Sequence, residues 1–381
     1  MVGGRIIVFF VTVLSVWTLM HLYAFWRLGS LPGLASIPRW AYWVAGLLLW
    51  WSYPFARYLD RNGFSTELSR VVEFLGATWM GVLFLLVVAL LVSDLITLFG
   101  LWKAAVLPAR AIAAGLALVL SVVGMVQGNR APAVQAVDVT LPGLPAQLDG
   151  LRLVQLSDMH LGTILGERWL AARISQVRML QPDLIAITGD LVDGNARHVE
   201  RLLPLLQQLQ APLGVYAVTG NHEFYAGLER SVELLRQAGF TVLRDEQVEV
   251  RPGLVVAGVD DLTARRQYGI AHRALERALS PRPSGACVLL SHTPWEVERA
   301  AELGAQLMLS GHTHDGQIWP FSYLVRLSYP YLGGTYQVSG LTLHVNRGTG
   351  TWGPRLRLWK PAEVTLITLR AAGAAAPISH H

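Results

Sequence analysis

Four stretches of this 381-residue chain contain no Asp, Glu, Lys or Arg: residues 6–26, 40–56, 74–93 and 111–129. Each has about the 17–25 residues that carry a helix across the hydrocarbon core of a bilayer. Charged residues bracket them: Arg5 and Arg27, Arg39 and Arg57, Glu73 and Asp94, Arg110 and Arg130. One such stretch can be the core helix of a soluble domain, but four in succession predict a four-helix transmembrane region over residues 1–130. The second is the weakest, being the shortest and ending near Pro54. The first has a long apolar stretch with no small-residue cleavage site after it, which predicts an uncleaved anchor. Four crossings put five basic residues (Arg5, Arg57, Arg61, Arg70, Arg130) on one side and four (Arg27, Arg39, Lys103, Arg110) on the other. Five against four does not decide orientation by the positive-inside rule; the expectation is a multi-pass protein of the inner membrane with the chain beyond Arg130 in the cytoplasm. His21 and Asp94 lie at segment ends, where interfacial solvation accounts for them.

Composition changes at Arg130. Charged residues are sparse before it and ordinary after it, and eight of the 13 Trp lie at or before Trp102, as interfacial aromatic belts would have them. The net charge of +5 is almost all arginine, since Lys103 and Lys360 are the only lysines. There is no basic block, so nucleic acid is not indicated as a partner, whereas an anionic membrane surface or a phosphate-bearing substrate suits the charge. Cys287 is the sole cysteine and sits in an apolar run, which excludes an intrachain disulfide, a thiolate zinc site and a cysteine nucleophile.

After Arg130 the chain alternates short apolar runs with amphipathic stretches. The runs are Leu151–Leu156, Leu184–Thr188, 215–219, 254–259, 287–290 and 307–309. They are apolar at consecutive positions, as strands covered on both faces are. Residues 167–180, 199–209 and 228–238 have helical spacing. Residues 338–345 and 363–369 read as additional strands of a second sheet. The expectation is an α/β domain over 151–370, entered by a linker and first strand at 131–150 and followed by a flexible tail at 371–381.

One regularity carries the functional inference. Nearly every apolar run ends in residue types that bind metals. The first leads into Asp158 and His160, and the second into Gly189 and Asp190. The third leads into Gly220, Asn221, His222 and Glu223, the fifth into Ser291 and His292, and the last into Gly311, His312 and His314. Parallel strands deliver their carboxyl ends to one edge, where α/β proteins bind ligands. These ends would gather two Asp, one Asn and five His at one site. Residues two apart on an extended strand end point the same way, so Asp158 with His160, and His312 with His314, can chelate. Oxygen and imidazole donors without sulfur suit Mn, Fe or Zn, and eight donors are too many for one ion and about right for two.

The ordered set DxH, GD, GNHE, SH and GHTH resembles the calcineurin-like metallophosphoesterases over roughly residues 144–369, and the whole chain is similar to the bacterial membrane-anchored branch. The resemblance implies a four-layer α/β/β/α sandwich and a metal-dependent hydrolase of phosphoric esters. It implies Asp158, His160, Asp190 and His314 around one divalent ion, and Asp190, Asn221, His292 and His312 around the other. His222 is implied to contact phosphate and to protonate the leaving oxygen. Two cations about 3.5–4 Å apart can lower the pKa of a bridging water and stabilise in-line attack. Asp315 departs from the branch, where glycine commonly follows GHTH. A carboxylate there adds a hydrogen bond behind the ligands or disfavours an anionic substrate.

Other residues carry weaker signals. Arg347, in the glycine-rich stretch 346–353, is a candidate phosphate contact, with Arg355 and Arg357 extending the idea. A glycine-rich turn between strands explains the stretch equally well. Asp260 and Asp261 follow a strand and are candidates for the site, with helix capping as the alternative for Asp261. Glu223 is a candidate orienter of His222 or of a ligand. His198, His272 and His344 read as ordinary histidines, and His380 and His381 are too few for a metal site.

The function expected is hydrolysis of a phosphomonoester or phosphodiester at a membrane, with a lipid-linked substrate because the anchor would not otherwise help. A hydrolase of soluble phosphodiesters or nucleotides is the alternative. A sensor or transporter with a phosphate-binding domain is the alternative from another class, disfavoured because no ligand position is empty and because the membrane segments lack buried charge pairs.

Overall fold

Without charged side chains to solvate, a long apolar segment satisfies its backbone by closing every hydrogen bond internally, and the first 130 residues do so in four long helices. These are Val2–Leu28, Arg39–Arg61, Glu67–Ile96 and Lys103–Gly128 in a computed structural model that describes residues 2–62, 67–270 and 273–373. The expectations on His272, His380, His381 and most of the tail lie outside the described residues. Glu67–Ile96 and Lys103–Gly128 are, among the described residues, the two helices long and apolar enough to cross a membrane. At 1.5 Å per residue the 30-residue helix is about 45 Å long. Leu75, Leu91, Leu95, Ile112, Leu118 and Val119 stay exposed along these two helices.

The helical unit corrects the sequence reading at Asp94. This carboxylate is not solvated at an interface: it is buried, 2.8 Å from Arg27 and 3.5 Å from Arg110, and accepts a hydrogen bond from Tyr23 at 2.7 Å. Burying an anion is tolerable only with partners of this kind. They come from helices 67 and 16 positions away in sequence, so no local pattern reveals them. Buried charge pairs, expected to be lacking in this region, are therefore present at the ends of its apolar segments. A further pair, Arg57 with Glu73 at 3.2 Å, joins Arg39–Arg61 to Glu67–Ile96. His21 is buried as well, accepting from Trp79 Nε1 at 2.8 Å. The segment Gly353–Trp359 belongs to this unit, and Arg357 within it is fully buried.

The second unit, Ala131–Trp352 with Lys360–His381, is built on twelve strands. They are β1 (Ala133–Leu141), β2 (Leu151–Leu156), β3 (Leu184–Thr188), β4 (Val215–Val218), β5 (Thr241–Val242), β6 (Glu246–Arg251), β7 (Leu254–Gly258), β8 (Ala286–Leu290), β9 (Leu307–Ser310), β10 (Gly334–Val338), β11 (Leu341–Val345) and β12 (Glu363–Ala371). Two mixed six-stranded sheets result, ordered β1-β12-β2-β3-β4-β5 and β10-β11-β9-β8-β7-β6.

Three apolar cores mark four layers. Between the sheets lie Leu153, Leu184, Ala186, Val218, Val256, Val288, Leu290, Leu309 and Ile367. The outer face of the first sheet packs Val154, Ile185 and Ile187 on Leu170, Ile174 and Val177 of helix Glu167–Met179. The outer face of the second packs Val255, Cys287, Leu289 and Met308 on Leu275 and Leu279 of one helix and Val297 and Ala300 of another. Consecutive apolar residues on a strand therefore serve alternate cores, which is why these strands lack polar alternation.

Register sets the site. Leu156 pairs with Ile187 and Thr188 with Val218, so β2, β3 and β4 end nearly level; Leu290 pairs with Leu309 at the ends of β8 and β9. Two expectations are corrected. Residues 338–345 are not one strand but the β10–β11 hairpin, turning at Ser339 and Gly340, both with positive φ. Residues 363–369 are not in the second sheet: β12 lies in the first, parallel to β1 and antiparallel to β2. The reason is that β12 has something to bury on both faces, with Val364 in the outer core and Ile367, Leu369 and Ala371 between the sheets. The stretch 199–209 holds two short helices, Ala196–Glu200 and Leu203–Leu206, and the helix expected at 228–238 begins at Asn221.

Candidate metal centre

The ends of β2, β3, β8 and β9 bring six side chains together in two adjoining groups. Asp158, His160 and His314 each present a ligand atom within 4.8 Å of the others, and so do Asp190, His292 and His312. Asp190 joins the groups: its Oδ2 lies 3.1 Å from His292 Nε2 and 3.9 Å from His160 Nε2. His160 Nε2 faces His314 Nε2 at 3.1 Å, and His312 Nδ1 faces His292 Nε2 at 3.2 Å.

The backbone is bent to achieve this. Asp158, His160, Asp190, His312 and His314 all have φ between 45° and 71°, the left-handed region that costs a non-glycine residue roughly 1–3 kcal/mol. Glycine is required beside them because the chain passes too close for a side chain. A Cβ on Gly220 would stand 2.1 Å from Asp190 Oδ1, and one on Gly311 would stand 2.0 Å from Ser157 Oγ and 2.2 Å from Asp158 Oδ2.

Hydrogen bonds aim the donors. Asp190 Oδ1 accepts from His222 N at 2.8 Å, in the first turn of helix Asn221–Gln237, where a helix favours an anion. Both Asp158 oxygens accept from His312 N at 3.1 Å. His292 Nδ1 is 2.8 Å from the Thr188 carbonyl, which makes Nδ1 the donor there and aims Nε2 at Asp190. His312 Nε2 is held by the Tyr329 hydroxyl at 2.8 Å, leaving Nδ1 toward the cluster.

Charge and protonation fit cations. Burial pushes Asp158 and Asp190 up, but neighbouring imidazoles outweigh it and hold both below the usual carboxylate range. Burial, with the neighbouring imidazoles adding to it, lowers His160 and His312 to about 3 and so leaves them neutral, as ligands must be. His292 is lowered by burial but raised well above its usual value by Asp190 and Asp158. Two buried anions among inward-facing imidazole nitrogens call for positive charge at the centre. Asn221 Oδ1 is buried with no hydrogen-bond partner, the condition of an acceptor reserved for a metal. The donor set therefore fits two divalent cations.

His222 lies beside the cluster, its ring 4.6 Å from that of His160. Its Nδ1 is 2.9 Å from Asp193 Oδ1. Burial lowers its pKa, but Asp190 and Asp193 more than offset this and raise it to about 9. His160, Asp193 and His222 form a third group with ligand atoms within 4.8 Å, but it shares His160 with the first. Asp193 did not stand out in the sequence; its only signal is a carboxylate three residues after Asp190 in the same loop. Tyr329, 15 residues beyond His314, gave no signal at all.

Other candidates have different jobs. Glu223 is buried, and its carboxylate accepts from the backbone of Asp190 at 3.0 Å, Val192 at 2.9 Å and Gly220 at 2.6 Å. That clamp joins two ligand loops, and burial with the Asp190 charge raises Glu223 to about 7. Asp261 takes the helix-capping alternative that the sequence left open: it is fully buried, accepting from Ala264 N at 2.6 Å and Thr293 Oγ1 at 2.5 Å. Asp260 pairs with Arg244 at 3.1 Å. Arg347 engages Asp315 at 3.4 Å and Glu363 at 3.5 Å, so an anionic substrate would compete with two carboxylates for it. Asp315 also meets Lys360 at 3.0 Å, which neutralises the departure from glycine at that position. His344 is a core histidine between Glu363, Thr365 and Thr335, and His198 lies 3.4 Å from Thr163.

The profile of the calcineurin-like phosphoesterase domain matches residues 151–316. An uncharacterized metallophosphoesterase of Aquifex aeolicus is 38% identical over 230 residues, covering 58% of this chain and 86% of that protein. A transmembrane protein with metallophosphoesterase domain from Danio rerio is 38% identical over 266 residues, covering 67% of this chain and 61% of the relative's length. The solved calcineurin-like phosphoesterase YfkN from Bacillus subtilis is 15% identical with a TM-score of 0.37, covering 52% of this chain and 82% of that one. A relative matched at this identity over most of its length makes the chain a member of the calcineurin-like metallophosphoesterase family and a metal-dependent phosphoester hydrolase.

Proposed function

We propose that the chain is a membrane-anchored phosphoesterase using two divalent cations, Mn2+, Fe2+/3+ or Zn2+, on a phosphomonoester or phosphodiester carried by a lipid. The carrying observation is Asp190, whose one carboxylate oxygen lies between the two ligand groups, 3.1 Å from His292 and 3.9 Å from His160. Asp158, His160 and His314 would hold one ion, Asn221, His292 and His312 the other, with Asp190 shared. Bound there, the ions supply Lewis acidity toward phosphoryl oxygens and lower the pKa of a water. The chain's own residues do the rest. Glu223 and the helix beginning at Asn221 hold Asp190 in place. Asp193 keeps a proton on His222 Nδ1, so that a second proton on Nε2 is available to the leaving oxygen.

The anchor is residues 1–130, read as four spans, followed by a linker and first strand at 131–150 and the hydrolase domain at 151–370. Two apolar helices, and a Danio rerio relative known as a transmembrane protein, support membrane association. On this reading the protein is multi-pass, with its hydrolase domain in the cytoplasm. An esterified lipid already resident in that bilayer is the substrate class that benefits from such tethering.

The test is hydrolysis of bis-p-nitrophenyl phosphate and p-nitrophenyl phosphate after chelation and Mn2+ addition, with bound metal counted. Asp190→Ala should lose activity and metal together, and His222→Ala should lose activity with metal retained. Turnover of soluble esters, with phospholipids and acylated nucleotide sugars untouched, would rule out the lipid-linked substrate and leave the soluble-ester reading.

A further inference from the structure

Directly after the GHTH ligands the chain makes a short excursion, residues 318–330 (IWPFSYLVRLSYP), around the single-turn helix Ser322–Val325. One foot is tied beside the metal cluster and the other to one of its candidate ligands. At its start, Gln317 exchanges two hydrogen bonds with the backbone of Trp352, at 3.0 and 3.1 Å, and the Trp352 ring lies 6.5 Å from that of His222. At its end, Tyr329 donates to or accepts from His312 Nε2 at 2.8 Å and stacks on Trp295. Between the feet the side chains point outward. Leu327 is 84% exposed, Tyr323 65%, Leu324 56%, Trp319 44% and Phe321 39%.

Isolated exposed apolar residues are ordinary, but five large ones within nine residues are not. Their chemistry selects a partner. Trp, Tyr and Phe, with Leu and an exposed Arg326, are the residues that enter the headgroup boundary of a bilayer. From residue 316 to 330 the chain contains no Asp or Glu, while the exposed Arg326 falls within it. Such a stretch meets an anionic surface without repulsion. A protein partner would be expected to meet charge of both signs.

We infer that residues 319–327 dip into the interfacial layer of a bilayer containing anionic lipid, and so bring the metal centre to esters at headgroup depth. The inference rests on the membrane-anchored reading above and adds to it a second, separate contact made by the hydrolase domain. Its pinned feet mean that the inserted tip and the ligands His312 and His314 move as one piece, so lipid contact positions the site.

The test uses the full chain in nanodiscs of phosphatidylcholine and phosphatidylglycerol with headgroup-proximal spin-labelled lipid. In a Cys287→Ser background, Leu324→Cys and, separately, Leu327→Cys carry an environment-sensitive fluorophore; Gln208→Cys, on an exposed surface, is the aqueous control. Expected are blue-shifted emission and quenching by the spin-labelled lipid at 324 and 327 and neither at 208. Emission at 324 and 327 equal to that at 208 overturns the inference. So does a blue shift that tracks protein concentration in detergent without lipid, which would assign the face to a second copy of the chain. Leu324→Asp with Leu327→Asp should lower kcat/KM on a bilayer-borne phosphate ester about tenfold, each buried leucine being worth that much or more, while p-nitrophenyl ester turnover is unchanged. Lipid quenching that persists although no lipid ester is hydrolysed would sink the substrate proposal and leave the contact standing.

Discussion

The replacement Asp193→Asn probes the acid assigned to His222. Asp193 Oδ1 is 2.9 Å from His222 Nδ1, in a site where both side chains are mostly buried. A hydrogen bond to a charged group is worth about 1.5–3 kcal/mol. One pKa unit corresponds to about 1.36 kcal/mol, so losing this bond lowers His222 by roughly one to two units. Asp190 also contributes to the rise to about 9, but bound cations offset its charge, and Asp193 then carries most of what remains. A general acid works only while protonated: activity is full below its pKa and is lost as pH rises through it. The variant should therefore lose activity earlier, its alkaline limb moving down by about one to two pH units. Leaving-group dependence sharpens the test. p-Nitrophenolate departs with little help, whereas an alkoxide needs the proton, so the loss should be about 10²-fold or more with an alkyl ester and under about tenfold with the nitrophenyl ester. The assay is kcat/KM against pH for both esters, with bound Mn2+ counted in each preparation. An unmoved limb and equal losses on both esters, with metal retained, would falsify the assignment of His222 as the acid.

Three further outcomes are expected. Glu223→Ala leaves three backbone donors unpaired, and should lower stability by about 3 kcal/mol or more, read as a fall in thermal midpoint. Gly220→Ala and Gly311→Ala push ligand carboxylates aside and should weaken metal binding about 10–100-fold, measured by titration with Mn2+ while far-ultraviolet dichroism stays native. Tyr329→Phe frees His312 Nε2 and should cost about tenfold in affinity for one of two ions, seen as a split in an otherwise joint titration.

The candidate metal centre was legible because its donors come directly after strands that are apolar at every position, so each polar cluster marks a strand end. Strand ends that face the same edge must converge, and Asp158, Asp190, Asn221, His292 and His312 did. What sequence could not show is what depends on distant partners. Asp193 looks like any loop carboxylate until His222 is set against it. Asp261 sits after a strand as the ligands do, and only the helix Leu262–Tyr268 makes it a cap. Asp94 stands next to an apolar segment, and its burial depends on Arg27 and Arg110. Strand order is equally non-local: 363–369 has the composition of either sheet, and its place between β1 and β2 comes from which cores its two faces fill.

That placement of β12 has a consequence for biosynthesis. A ribosome delivers β1 through β11 before residue 363 exists, yet the first sheet has a gap one strand wide until β12 arrives. Until then β1 and β2 each present an open edge, the hazard that templates mispairing. Closing the gap joins Ala133 to Glu363 and Leu151 to Leu369, pairings far apart in sequence and therefore slow to form. The hydrolase domain should thus mature only after translation passes its final strand, and nascent chains stopped before Glu363 should be protease-sensitive however complete their metal ligands are.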